Sequence, residues 1–102
     1  MIHTKNLMIV TASVDENEKE AYDFYAKNAG PIFKKFGGKT NSKYKISEVL
    51  KGKSITKLIL TMEFENTTDI IAALNSDAYS KLLPYREKAF SSLDIFIGEN
   101  LI

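Results

Sequence analysis

The spacing of hydrophobic and polar positions changes several times along the chain, and each change marks an element. Residues 6–14, NLMIVTASV, are a short apolar, β-branched run that predicts a first strand. Asp15 then offers an N-cap, with Glu16, Glu18 and Glu20 placed to favour a helix N-terminus. From Ala21 the period becomes helical. Ala21, Tyr22, Tyr25, Ala29, Ile32, Phe33 and Phe36 fall on one broad face, with Lys19, Glu20, Asp23, Lys27 and Lys34 opposite. Gly30-Pro31 predicts a kink or short break, because proline lacks a backbone donor and crowds the preceding turn. Gly37 is placed as a left-handed C-cap, and Gly38 lets the chain turn toward the next strand.

Residues 39–50 alternate weakly, with Tyr44, Ile46, Glu48 and Leu50 on one side, and predict a polar strand. KGKS (51–54) predicts a hairpin loop around Gly52, and 54–64 predicts the strongest strand. There Leu58, Leu60, Met62 and Phe64 form a continuous apolar face. Asn66, Thr67 and Thr68 can cap a short helix through Leu74, and Ser76 can cap a second segment. In SDAYSKLLPYREKAF (76–90), helical spacing puts Ala78, Tyr79, Leu82, Leu83 and Phe90 on one face, with Arg86 in the middle of that stripe. Pro84 predicts a joint, with Leu83 pushed from helical angles. Residues 93–101 alternate Leu93, Ile95 and Ile97 against Asp94, Phe96 and Gly98, as a last strand does.

The order β-α-β-β-α-β with a central hairpin predicts an α+β, ferredoxin-like domain over residues 1–102. Its antiparallel sheet carries the helices on one face. Met8, Val10 and Ala12, with the apolar sides of the third and last strands, face the helices. The other face should be polar if it met water, yet Leu7, Ile9, Ile59 and Phe96 fall there among Thr11, Ser13, Thr61 and Glu63. A half-apolar second face needs a covering, which predicts a homodimer packed sheet against sheet.

Composition narrows the chemistry. The 102 residues include no cysteine and one histidine, His3. Disulfides, a thiolate nucleophile and cysteine-ligated metals are thereby excluded, and a His-rich metal site with them. No glycine-rich phosphate loop appears. There is no apolar run long enough for a transmembrane helix and no signal-peptide layout, so a cytoplasmic chain is expected. Net charge is only +1, but residues 34–57 hold eight lysines against the single acid Glu48. That segment reads either as an anion-binding surface or as a lysine-decorated edge strand that resists stray pairing. No arginine-rich or aromatic-interleaved pattern points to nucleic acid, which leaves the edge strand as the plainer reading.

FGGK (36–39), EVLKG (48–52), MEFENTTDIIAALNSDAY (62–79) and YREKAF (85–90) resemble one family over nearly the whole chain. It is the family known as domain of unknown function thirteen-thirty. The Gly37-Gly38 pair and Ser76-x-x-Tyr79 with Arg86 seven residues on are the more specific elements. The resemblance implies the dimeric α/β-barrel superfamily, which includes antibiotic-biosynthesis monooxygenases and ethyl-tert-butyl-ether-degradation proteins. It further implies a cleft between helices and sheet in each subunit. No cofactor is implied: haem branches generally use an axial histidine, and cofactor-free oxygenation needs little beyond a shaped apolar pocket. The superfamily hosts many chemistries, so no reaction follows.

Arginine stays charged when buried and must find a partner. Arg86 either holds a ligand anion beside Tyr79, or meets an internal acid such as Glu48 or Glu99, or caps carbonyls near Pro84. Tyr25 and Tyr79 are candidate hydrogen-bonding phenols, Tyr22 and Tyr25 equally suit core aromatics, and Ser76 suits a cap. Glu48, Glu63 and Glu99, or the phenols Tyr25 and Tyr79, are the candidate acids or bases. Two functions of different class follow. One is a small-molecule-binding dimer, whether or not a cofactor-independent monooxygenase or isomerase, taking an aromatic or acidic metabolite with Arg86, Tyr79, Tyr25 and Ser76 at the ligand. The other is a non-catalytic interaction or stress-response protein meeting a partner through its lysine-rich hairpin or barrel surface.

Overall fold

The computed structural model describes residues 6–101, so His3 lies outside the described part. Four strands form one antiparallel sheet: β1 (Asn6–Val14), β2 (Lys39–Lys45), β3 (Leu58–Phe64) and β4 (Phe90–Glu99). Their order is β2-β3-β1-β4, which puts the lysine-bearing β2 at an edge as its composition predicts. The helices are α1 (Lys19–Lys35), α2 (Thr67–Leu74), α3 (Asp77–Ser80) and α4 (Leu83–Ala89). This is the expected ferredoxin-like α+β fold. Register confirms the parity of the central strands: Met8 lies opposite Met62 and Ile97, and Val10 opposite Leu60 and Ile95. Met8, Ala12, Met62 and Phe64 are buried with Tyr25, Ala29, Phe33, Ile70, Ala73 and Tyr79. Among the described residues no helix is long and apolar enough to cross a membrane.

The hairpin departs from its prediction. Of the strand over 39–50 only Lys39–Lys45 forms, as β2, and the tight 51–54 loop does not; β3 starts at Leu58, and residues 46–57 make a long excursion. Ile46 N–H donates to Lys57 C=O at 2.8 Å, the last rung before the strands part. Lys57 N–H then turns to Ala12 C=O at 2.9 Å, and the Ser13 hydroxyl bonds Ile55 C=O, so the excursion is stitched to β1. Its alternating apolar residues gain little burial, and Leu50 remains 90% exposed. At the other end β4 begins earlier than expected, at Phe90, so Phe90 belongs to the sheet and not to the helical stripe.

Both prolines behave differently from expectation. Pro31 lies inside α1 without a break. The residue before a helical proline is normally crowded through its Cβ. Here that residue is Gly30, which has none. Pro84 occupies the first turn of α4, where its missing N–H would be unpaired in any case, and Leu83 is helical. Residues 76–90 are therefore two short helices joined at Lys81–Leu82. Asp15 caps a 3-10 turn at Glu16–Glu18 ahead of α1, with Asn17 N–H donating to its Oδ1 at 3.0 Å. Asp15 N–H also donates to Ala89 C=O at 2.8 Å, fixing the start of α1 to the end of α4.

The end of α1 follows the Schellman pattern. Gly38 N–H donates to Phe33 C=O at 2.9 Å and Gly37 N–H to Lys34 C=O at 3.0 Å, with Gly37 at φ 95°. The glycines serve different ends. A Cβ at Gly37 would meet open space and only backbone strain, whereas one at Gly38 would lie 2.5 Å from the Phe64 ring and 2.9 Å from Phe33 O. Gly37→Ala should therefore cost about 1–2 kcal/mol from the left-handed backbone alone. Gly38→Ala should cost more, about 2–4 kcal/mol, because a fixed carbonyl and a core ring must both move. Urea unfolding of the two variants checks this order; equal losses would contradict it.

Candidate functional site

Helical spacing along α1 sets two kinds of residue toward the sheet. Tyr22, Tyr25 and Phe33 are large, while Ala26, Ala29 and Gly30 are small. Where the small ones face the sheet, α1 leaves a gap. A cavity of about 220 Å³ opens there, with Val10 and Ala12 of β1, Leu58, Leu60 and Met62 of β3, and Leu93 and Ile95 of β4 across from the helix. Its surface is mainly hydrocarbon. Among its lining residues the charged ones are Lys34 and Lys43, with Thr40 beside them on the edge strand. An engineered apolar cavity of about 150 Å³ in another protein admits benzene. This one has room for a ring bearing a short substituent.

One wall of the cavity connects to a polar chain. Tyr25 lines the cavity, and its hydroxyl lies 2.6 Å from the hydroxyl of Tyr79. The Tyr79 ring packs edge-on against Tyr25 (centroids 6.1 Å apart) and at a tilt against Phe33 (5.5 Å). Arg86 Nη1 donates to the Tyr79 hydroxyl at 3.2 Å, and the guanidinium carbon sits 5.7 Å from the centre of that ring. Arg86 Nη2 also reaches Glu87 Oε1 at 3.4 Å. Glu87 is largely exposed, so that pair holds the guanidinium only loosely. Neither Glu48 nor Glu99 nor a carbonyl near Pro84 is the partner of Arg86. It meets a phenol.

Ser76 is a cap, as its place before α3 predicts. Its hydroxyl accepts from Tyr79 N–H at 3.2 Å and donates to Ala73 C=O at 2.7 Å. Both hydrogen bonds orient the single turn that carries Tyr79. The structure thus brings Arg86, Tyr79 and Tyr25 together in line, with Ser76 behind them, and only Tyr25 of the four lines the cavity. Glu48 lies in the 46–57 excursion, Glu63 pairs on β3 with Leu7 and Lys39, and Glu99 closes β4. None of the three carboxylates lines the cavity. Among the described residues no cluster of three metal-ligating side chains occurs. On the wheel over α1, Ala29 counts as one more apolar position. Its small volume, with that of Ala26 and Gly30, is the signal in the sequence for a cavity.

Electrostatics separates the members of the chain. Burial pushes the Tyr25 phenol far above its ordinary value of 10, Tyr79 adds through its charge and hydrogen bond, and Arg86 pulls back weakly. Tyr25 is thus neutral at physiological pH and acts as a hydrogen-bonding group, not as a base. Burial works against the charge of Arg86, but the hydrogen bond and charge of Tyr79, and then Glu87, more than offset it and raise its pKa. A fixed cation therefore ends the chain.

A family profile described as "Domain of unknown function (DUF1330)" matches residues 6–101. No curated protein sequence matches the chain. Among solved structures, a protein of unknown function from Rhodopseudomonas palustris superposes with a TM-score of 0.83 at 16% identity, covering 99% of this chain and 85% of its own. A Nitrosomonas europaea protein described provisionally as an antibiotic biosynthesis monooxygenase gives 0.70 at 15% identity, covering 99% and 95%. An ethyl tert-butyl ether degradation family protein from Bacillus halodurans gives 0.63 at 18% identity, covering 97% and 100%. At such identities the likeness is one of fold.

The phenol pair makes a stability prediction. Tyr79→Phe strands the buried Tyr25 hydroxyl and removes the acceptor of Arg86, and should cost about 2–3 kcal/mol. Tyr25→Phe leaves Tyr79 bonded to Arg86 and should cost less. Folded Tyr25 holds its proton above the unfolded value, so its contribution is complete below pH 10 and declines as pH rises beyond it. Urea midpoints from pH 8 to 11 should therefore fall less steeply for Tyr25→Phe than for wild type; parallel profiles would contradict the assignment.

Proposed function

The chain belongs to the DUF1330 family, and on that premise we propose that it binds a small apolar organic molecule, an aromatic or acidic metabolite, between α1 and the sheet. The observation that carries this reading is the cavity itself. Protein interiors pack to crystal-like density. An apolar gap of about 220 Å³ between helix and sheet forgoes the contacts and burial that a filled one would gain. Leucine or isoleucine at Ala26 or Ala29 would remove it. Keeping alanine and glycine where α1 lines this gap, with Ala29 buried there, makes sense where something else fills the space.

In this reading Tyr25 is the polar contact. Either phenol of the pair can be the donor. With the guanidinium donating to Tyr79 and Tyr79 donating to Tyr25, the Tyr25 proton is left for a carbonyl, ether or phenolate oxygen of the ligand. A charged donor at the far end polarises each bond in turn and strengthens the last one. Arg86 and Tyr79 act through Tyr25, and Ser76 holds the turn that positions Tyr79. Cofactor-independent oxygenation or isomerisation of such a ligand is the chemistry this reading would accommodate.

The same reading makes the protein a homodimer. The sheet face away from the helices carries Leu7, Ile9 and Ile59, with Phe96 51% and Tyr44 59% exposed. A second copy of that face is the simplest covering for a half-apolar, exposed sheet surface.

Two measurements check these proposals. Ala29→Leu should keep the fold, and should abolish any thermal stabilisation that small aromatic compounds give the wild type; stabilisation that survives the substitution would place the ligand elsewhere. Light scattering at micromolar concentration should give a dimer mass for wild type and a monomer mass for Phe96→Glu. A monomeric wild type would overturn the sheet-to-sheet proposal.

A further inference from the structure

The lysine-rich segment 34–57 includes β2, an edge strand, and edge strands carry lysine to resist stray pairing. That accounts for lysines on β2, but not for where several of the side chains stand. Lys34, from the last turn of α1, and Lys43, from β2, line the 220 Å³ cavity. A wider cleft adjoins it through the shared residues Tyr22 and Leu58. Lys45 and Lys57 line that cleft, with Glu16 as the acid among its lining residues. Among the described residues the ion pairs are Arg86–Glu87 and Lys88–Glu18, and none of these four lysines takes part. An apolar cavity thus has a charged margin of one sign, and no carboxylate lines it.

We infer that the cavity selects a carboxylate-bearing apolar molecule, its hydrocarbon or aromatic body inside and its carboxylate at Lys34 and Lys43. The inference rests on the proposed ligand cavity and adds the class of ligand. Arg86 has no part in holding the acid, because it is engaged by Tyr79 and does not line the cavity. Lysine suits this role, since a flexible stem can reach over the mouth while its charge stays hydrated until the ligand arrives. A like-signed margin also raises the local concentration of anions, and that effect weakens with salt.

Isothermal titration with three probes of one shape and different heads tests this: 3-phenylpropionate, 3-phenylpropan-1-ol and 3-phenylpropylamine. Wild type should bind the acid about tenfold more tightly than the alcohol, and the amine least. The gap should narrow between 50 and 300 mM salt. Lys34→Met/Lys43→Met should bind acid and alcohol alike, whereas Lys51→Met/Lys53→Met, with the same change in net charge out on the 46–57 excursion, should keep the preference. The inference is overturned if the alcohol matches the acid on wild type, if the Lys34/Lys43 variant keeps the preference, or if both double variants lose it equally. If none of the probes binds, or if Ala29→Leu binds all of them as wild type does, the cavity itself fails as a ligand site, and this inference fails with it.

Discussion

The Tyr79 side chain is almost wholly buried, and a phenol taken from water must find a hydrogen-bond partner or destabilise the fold by about 1–3 kcal/mol. It finds two. Tyr25 reaches it from α1, and Arg86 reaches it from α4, at 2.6 and 3.2 Å. Most of the helical layer follows from this junction. Residues 76–90 must break into α3 and α4 so that Tyr79 and Arg86 converge, and Ser76 must cap α3 so that its single turn holds. α1 must run straight past Pro31 so that Tyr25 and Phe33 pack the same ring from different turns. The contact between Asp15 and the end of α4 closes the arrangement at the other side.

With α1 anchored by its large residues, its small ones determine what lies beneath. Ala26, Ala29 and Gly30 leave a gap that the apolar sides of β1 and β3 do not fill. The helix is thus pinned by tyrosine and phenylalanine and hollowed by alanine and glycine. The polar chain from Arg86 ends on the cavity wall at Tyr25, while the margin carries Lys34 and Lys43. For the ligand we propose, hydrocarbon body, neutral hydrogen bond and anionic head would be three separate demands, each set by a different element of the fold.

Much of this is legible from spacing. The continuous apolar parity in 58–64 and the β-branched run at 6–14 place the central strands, because burying one face of a sheet requires one parity. The Gly37-Gly38 pair marks the helix end, because an αL cap needs a residue with no Cβ penalty. The 46–57 excursion is not legible: Ile46, Leu50 and Ile55 mimic strand alternation, but periodicity does not report that the sheet has ended. The partner of Arg86 is sought first among acids, since charge is visible in sequence and a buried phenol is not. The cavity escapes notice because a helical wheel records polarity and ignores volume. Alanine and leucine look alike on it, and here the difference between them is the cavity.

Backbone and methyl chemical-shift mapping of the wild type during titration with 3-phenylpropionate tests the central claim most directly. Occupation of the cavity predicts shifts concentrated at Ala26, Ala29, Gly30, Leu58 and Leu60, fading toward Phe96 and Tyr44 on the opposite face of the sheet. Saturating shifts centred on that opposite face, or none beneath α1, would contradict it.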